Sequence, residues 1–379
     1  MNYGIRKQKI HIYDNMCCHF ISSNFIPLEN TLWLARGLFQ ILRTRWLIPR
    51  VSFLTGFICL KIQRTEGEHF VVLLKALQDK DFAGIIFCRI REDAERKMRM
   101  SGYNGLDKDL LIIRGKGVFA TMFARGTTIF HFDDHWRRLL ESCGGAHIAT
   151  SSLPPKNSVL ATIAVSLWNK GFSRSAIRLI VTGGKTRDGK HSAGSPMVLP
   201  PMITRMPKPT NTPLKLQLRY GGRRRPEIKM IGPYADCMLD LEEAESEGYD
   251  DVLYYENVGG VGGGFDAMTE TTCANVFYVL RDTILVTPQS GVLQGVTRDI
   301  ILRLAVSSGI FKRVLELPKV FSNMLPDCIE AFRSSSISGI VPIRSIGPYK
   351  FQTGNDTKTQ IVCKLYADHV NQYFKDRGA

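Results

Sequence analysis

Lys229 lies in the stretch Glu227-Ile228-Lys229-Met230-Ile231-Gly232-Pro233-Tyr234, an amine among apolar residues with a phenol following it. Apolar surroundings disfavour the ammonium form, so such an amine is a nucleophile near neutral pH. Further along, Glu270 stands in Met268-Thr269-Glu270-Thr271-Thr272-Cys273-Ala274-Asn275-Val276-Phe277, a carboxylate between a glycine-rich loop and an apolar run. Gly295-Val296-Thr297 then opens a helical pattern. Unpaired backbone N–H groups, the helix dipole and a threonine hydroxyl make that turn a seat for phosphate. Arg138 can add a charge-assisted bond to the same anion, and Ser334-Ser335-Ser336 offers more hydroxyls.

An amine, an acid and a phosphate seat are the parts that hold pyridoxal phosphate. That cofactor needs a lysine joined to its aldehyde, an acid facing the pyridine nitrogen, donors for the phosphate and a neighbour for the ring phenolate. Lys229 meets the first demand, and Tyr234 can reach the phenolate. Taken singly, each has a plainer reading. Tyr234 also suits a packed core position, Glu270 a turn, Arg138 a surface and the serines a flexible loop.

Other chemistries find less support. No HExxH is present, and His131 and His135 straddle a strand end and a helix start, so no metal is expected. No GxSxG occurs. Gly259 to Gly264 follows a strand, but lacks GxGxxG in register and reads as a loop. The net charge of +15 would suit nucleic acid or other anions. The basic residues are nevertheless scattered, with knots such as Arg223-Arg224-Arg225 and no stripe interleaved with aromatics, which favours a solvated basic surface. The 9 cysteines include no CxxC, as in a reducing compartment with free thiols. Trp46 to Leu60 is the longest apolar candidate and is broken by Pro49 and Arg50, so no membrane span is expected.

The elements that must position these residues emerge from periodicity. The 379 residues leave room for more than one domain. Residues 1–95 read as an N-terminal extension, 96–205 as a small α+β domain and 206–379 as a larger one. The prolines between Pro200 and Pro213 mark the change. Thr31 to Leu47 is basic, amphipathic and poor in acids, as a transit sequence would be. The expected location is therefore cytoplasmic, or an organelle if that stretch is a transit signal. Leu110 to Ile113 reads as a buried strand, and Gly117 to Phe123 as another. Asp133 or Asp134 is expected to cap a helix running to about Gly144. A helix follows at Ser158 to Lys170 and a strand at Ser175 to Thr182. Later come a strand at Leu214 to Leu218, a helix from Tyr234 to Glu247 and a strand at Asp251 to Tyr255. A hairpin spans Asn275 to Thr287, and a helix Val296 to Ser308. Strand fragments lead to a C-terminal helix from about Asp356 to Phe374. Strands and helices mix without steady βαβ alternation, which indicates α+β.

In order and spacing, these segments resemble the class IV (fold type IV) pyridoxal-phosphate aminotransferases across roughly residues 105 to 370. The similarity rests on Gly117-Val118-Phe119, on His135-Trp136-Arg137-Arg138-Leu139, and on Lys229 with Tyr234. It continues through Glu270, Asn275 and Phe277, Thr287-Pro288 with Leu293 to Arg298, and Glu330 to Pro342. The resemblance implies a two-domain α+β fold with the cofactor in the cleft, and a homodimer acting on an amino acid and a 2-oxo acid. By position it makes Lys229 the Schiff-base lysine and Glu270 the pyridinium partner. Arg138, Val296, Thr297 and Ser336 would hold the phosphate, Tyr234 the phenolate, and Phe119 and Ile337 would line an apolar substrate pocket. The lysine-to-tyrosine spacing is most similar to branched-chain aminotransferases, with 2-oxoglutarate as acceptor. D-amino acid aminotransferase and aminodeoxychorismate lyase are the alternatives on the same fold, and a non-enzymatic basic binding protein is the alternative of another kind. Ala120 stands where the family usually has Glu, Ser336 where it more often has Thr, and Gly259 to Gly264 looks like an insertion.

Overall fold

A computed structural model describes residues 108–187, 190–193, 196–207, 212–259 and 265–379, with three short strands upstream. The chain divides into two compact units, Met1–Ser101 and Gly102–Ala379. In the first, β1 (Ser52–Leu54), β2 (Phe57–Cys59) and β3 (Lys75–Ala76) form an antiparallel sheet in that order. The transit-like stretch Thr31 to Leu47 lies outside the described residues.

The first described element of the second unit differs from the expected strand. Leu110–Arg114 is a short helix, α1, and not a strand. Ile112 and Ile113 favour a strand by their branching, but the residues around them impose a turn. The Asp109 carboxylate accepts the Leu111 N–H at 2.8 Å, and Gly115 closes the helix in the left-handed conformation at φ 64°. Ile112 consequently faces solvent.

β4 (Gly117–Arg125) pairs antiparallel with β6 (Arg174–Thr182) along its whole length, from Gly117↔Thr182 to Arg125↔Arg174. With β5 (Thr128–Ile129) and β9 (Met202–Arg205) they form a sheet in the order β5-β4-β6-β9. β7 (Thr186–Arg187) and β8 (Lys190–Ala193) pair separately. Helices α2 (Phe132–Gly145) and α3 (Lys156–Lys170) cover one face. The two-residue period of β4 assigns its side chains. Val118, Ala120, Met122 and Ala124 enter the core with Trp136, Leu139 and Ile163, whereas Phe119 and Phe123 point the other way. The Ala120 side chain is thus buried beneath the helices. α2 is not capped by Asp133 or Asp134. It starts at Phe132 after His131, which sits at φ 48°, and Asp134 bonds the His131 ring at 2.8 Å. The two acids occupy the first turn, where the helix dipole favours them.

The proline-rich segment leads from β9 into the larger sheet. β10 (Leu214–Tyr220), β11 (Asp251–Val258), β12 (Phe265–Thr271), β13 (Asn275–Leu280), β14 (Ile284–Pro288), β15 (Arg313–Leu317), β16 (Val320–Phe321), β17 (Cys328–Ser335), β18 (Gly339–Ile346) and β19 (Tyr349–Lys350) make up its ten strands. Their path runs β15-β14-β13-β17-β18-β10-β11-β12-β16, with β19 on β18. A further pairing, Glu270↔Asn275, joins β12 to β13 and closes the sheet on itself. An apolar cluster including Leu216, Leu253, Met268, Tyr278 and Ile343 packs within it. Outside it, α5 (Val296–Ser308) and α6 (Lys358–Lys375) pack with Phe277, Phe332, Phe123 and Phe130. α4 (Tyr234–Ser246) covers Val252 and Tyr254. Parallel and antiparallel pairs are mixed, and the fold is α+β.

The strand fragments expected near the C-terminus are instead full members of this sheet, β17 and β18 among them. Polar residues had broken their pattern. Glu330 of β17 is buried because it accepts the Lys358 and Thr359 N–H groups at the start of α6, at 2.9 and 2.7 Å. The described cysteines, Cys143, Cys237, Cys273, Cys328 and Cys363, are free thiols. No helix among the described residues is long and apolar enough to cross a membrane.

Candidate active site

Lys229 reaches the interior on a segment pinned to β4. The Phe119 N–H donates to the Lys229 carbonyl at 3.0 Å, the Ile231 N–H donates to Gly117 at 2.9 Å, and Val118 bridges Met230. The Lys229 amine donates to the Tyr234 hydroxyl at 2.8 Å. It lies 4.7 Å from the centre of the Phe119 ring and 4.9 Å from that of Tyr234, and the two rings meet edge to face at 5.0 Å. Lys229 is only 8% exposed. Burial draws its pKa down to about 7, helped by the Arg138 and Arg223 cations and opposed by Glu270. Burial also pushes the Tyr234 phenol up, so its proton stays in place.

Glu270 occupies the pair that closes the large sheet. One carboxylate oxygen accepts from the Arg223 guanidinium in a buried ion pair. The other accepts the Leu293 N–H at 3.0 Å and the Asn275 amide at 3.3 Å. The Asn275 amide also donates to the Leu293 carbonyl at 2.8 Å. The acid is therefore tied directly to the turn that enters α5.

That turn carries Gly295, Val296 and Thr297, with Val296 and Thr297 buried. No side chain caps α5, which leaves its first N–H groups available. Arg138, on α2, is buried with no carboxylate in ion-pair range among the described residues. It makes one long contact, to the Gln294 carbonyl at 3.5 Å. Burial lowers its pKa from the ordinary guanidinium value. A buried cation beside an uncapped helix start suits an anion.

Ser336 and Ile337 lie half-buried in the turn between β17 and β18, and Ile337 packs beside the cluster that holds Phe332 and Val296. The structure thus brings Lys229, Tyr234, Phe119, Glu270 and Arg138 together. It shows no contact between Ser336 or Ile337 and Lys229.

Two residues of the site were not singled out in the sequence. Arg223 belongs to a triplet that reads as solvated, yet it alone turns inward. It donates to the Ile228 carbonyl at 3.1 Å and the Pro226 carbonyl at 2.8 Å, and lies 4.8 Å from the Tyr234 ring centre. Burial works against its charge, but Glu270 raises its pKa overall. Arg178 of β6 is exposed, and its guanidinium lies 5.3 Å from the Phe119 ring centre, a cation on the same side of the sheet as Lys229. A basic residue in register with the Phe119 strand was the available signal.

Gly295 has almost no room for a side chain. A Cβ there would meet the Asn275 Oδ1 at 2.3 Å. Gly295→Ala is therefore expected to displace Asn275 from Glu270 and to cost about 1–3 kcal/mol. The checks are a lowered urea midpoint and weaker retention of pyridoxal phosphate on dialysis. A variant matching the parent in both would show that Asn275 yields freely.

Residues 117–346 match the family described as amino-transferase class IV, and the chain belongs to that family. Its members depend on pyridoxal phosphate, and this chain is an aminotransferase. The chain is 26% identical over 276 residues to the branched-chain-amino-acid aminotransferase of Pseudomonas aeruginosa, a match covering 68% of this chain and 85% of that protein. A putative 4-amino-4-deoxychorismate lyase from Legionella pneumophila shares the fold with a TM-score of 0.60 at 22% identity, over 70% of this chain and 93% of that one. So does a hypothetical aminotransferase from Mycobacterium tuberculosis in its PLP-bound form, with a TM-score of 0.56 at 18% identity, over 69% and 90% of the two chains. Family membership decides for an enzyme over a basic binding protein.

Proposed function

We propose that the chain binds pyridoxal phosphate at Lys229 and moves the amino group of a branched-chain L-amino acid to 2-oxoglutarate. The observation that carries this reading is a buried amine, held near neutrality and hydrogen-bonded to a phenol, beside an acid locked by a buried arginine. Bound there, the cofactor supplies a conjugated ring that spreads the electron pair left when the α-proton departs.

The chain's own residues do the rest. Lys229 would hold the cofactor covalently and would take and return the substrate α-proton at Nζ. Glu270 would face the ring nitrogen, and its buried ion pair with Arg223 holds that carboxylate in place. Tyr234 would donate to the ring phenolate. Arg138, the N–H groups of Val296 and Thr297, and the Ser336 hydroxyl would hold the phosphate. Phe119 and Ile337 offer apolar surface to an aliphatic side chain, and Arg178 offers a cation to the substrate carboxylate. The Pseudomonas aeruginosa relative supports the branched-chain choice. A second copy of the chain is the proposed partner.

Offering the purified protein L-leucine and D-alanine, each with 2-oxoglutarate, and aminodeoxychorismate separates the possibilities. The expected outcome is a kcat/KM for L-leucine at least about tenfold above that for D-alanine. Faster turnover of D-alanine, or pyruvate release from aminodeoxychorismate without an acceptor, would reassign the substrate and leave the cofactor site standing. A colourless protein whose visible spectrum does not respond to added pyridoxal phosphate would remove the cofactor site itself.

A further inference from the structure

Behind the Lys229 segment lies a recess of about 360 Å³, on the side away from the amine. Its floor includes Met230 and Pro233, and its rim carries Lys116, His147, Arg224 and Arg225. Alternation along the extended segment sends Met230 away from Lys229, and Met230 packs toward the core under α2. Arg225 is engaged, donating to the Gly145 carbonyl at 2.9 Å and to Glu227 at 3.3 Å. Lys116 and Arg224 have no carboxylate in ion-pair range among the described residues. His147 and Arg225, at φ 54° and 57°, are two of the four non-glycine residues with positive φ among the described residues, and both border this recess. Strain of this kind persists only where surrounding structure enforces it, and it clusters at binding sites.

We propose that this recess is a second binding site, distinct from the Lys229 cleft, for a small carboxylate with an aliphatic body. The cationic rim selects the anion. The apolar floor selects the body, because an inorganic anion would leave Met230 and Pro233 uncovered. The volume suits a ligand of amino-acid size. The inference does not depend on which substrate the enzyme uses.

The probe is 3-methylbutanoate, titrated into the full-length protein with heat and visible absorbance followed together. The expected result is a binding event with no change in the visible spectrum, weakened at least about tenfold in Lys116→Ala/Arg224→Ala and in the single charge reversal Arg224→Glu. It should also weaken as salt rises. If all heat tracks a spectral change, or if both variants bind like the parent, the site does not exist.

Discussion

Lys229→Ala is expected to lose covalent attachment of pyridoxal phosphate and to slow transamination at least about a thousandfold, because in the proposed reaction one amine both attaches the cofactor and moves the proton. The size follows from what burial does to the amine. An exposed lysine with a pKa of about 10.4 is neutral in roughly one molecule in a few thousand at pH 7. Lys229, drawn down to about 7, is neutral about half the time there. Capture of the cofactor by the cofactor-free protein should therefore climb about tenfold per pH unit up to about pH 7 and then level off. Stability carries the same signature. Below about pH 7 the amine is charged in both folded and unfolded chains, and above its unfolded value it is neutral in both. Between them the unfolded chain binds more protons, so the cofactor-free protein gains stability as pH rises across that window. Lys229→Met should flatten the rise. A variant that still yields a borohydride-fixed adduct elsewhere, with activity intact, would show that another amine does the work.

Much of this site was legible because its chemistry sits where local signals are strong. The helix over Val296–Ser308 announces itself through Gly295 and a run of helical spacing, and the β13–β14 hairpin through compact apolar runs. Lys229 and Tyr234 lie on one side of a short, apolar segment, so burial could be inferred from neighbours. Arg223 escaped because three consecutive arginines have no period. Only the fold, by placing Glu270 at the closing pair of the sheet, decides which of them turns inward. Glu330 and the strands near it escaped for the same reason: a buried acid whose partners are the backbone N–H groups of a later helix looks polar in sequence. Leu110 to Ile113 failed differently. Its apolar, branched run favours a strand, but over one turn the Asp109 and Gly115 caps win.

Breaking the Arg223–Glu270 pair is the second large effect. Its side chains are 2% and 7% exposed, so removing one partner strands a charge in the interior, at a cost on the order of 3–5 kcal/mol. Glu270→Gln keeps the shape and leaves Arg223 without its counter-charge, while Arg223→Met leaves the carboxylate with only the Leu293 and Asn275 donors. The double variant Arg223→Met/Glu270→Gln should lose less than the two singles added together, the mark of a coupled pair. Stability alone would not separate a structural pair from one that tunes the amine, but the pH of cofactor capture does. Glu270 raises the Lys229 pKa and Arg223 lowers it. Removing the acid should move the midpoint of capture below that of the parent, and removing the arginine should move it above. Midpoints that shift in the same direction, or not at all, would mean that the pair braces the sheet closure without setting the charge on Lys229.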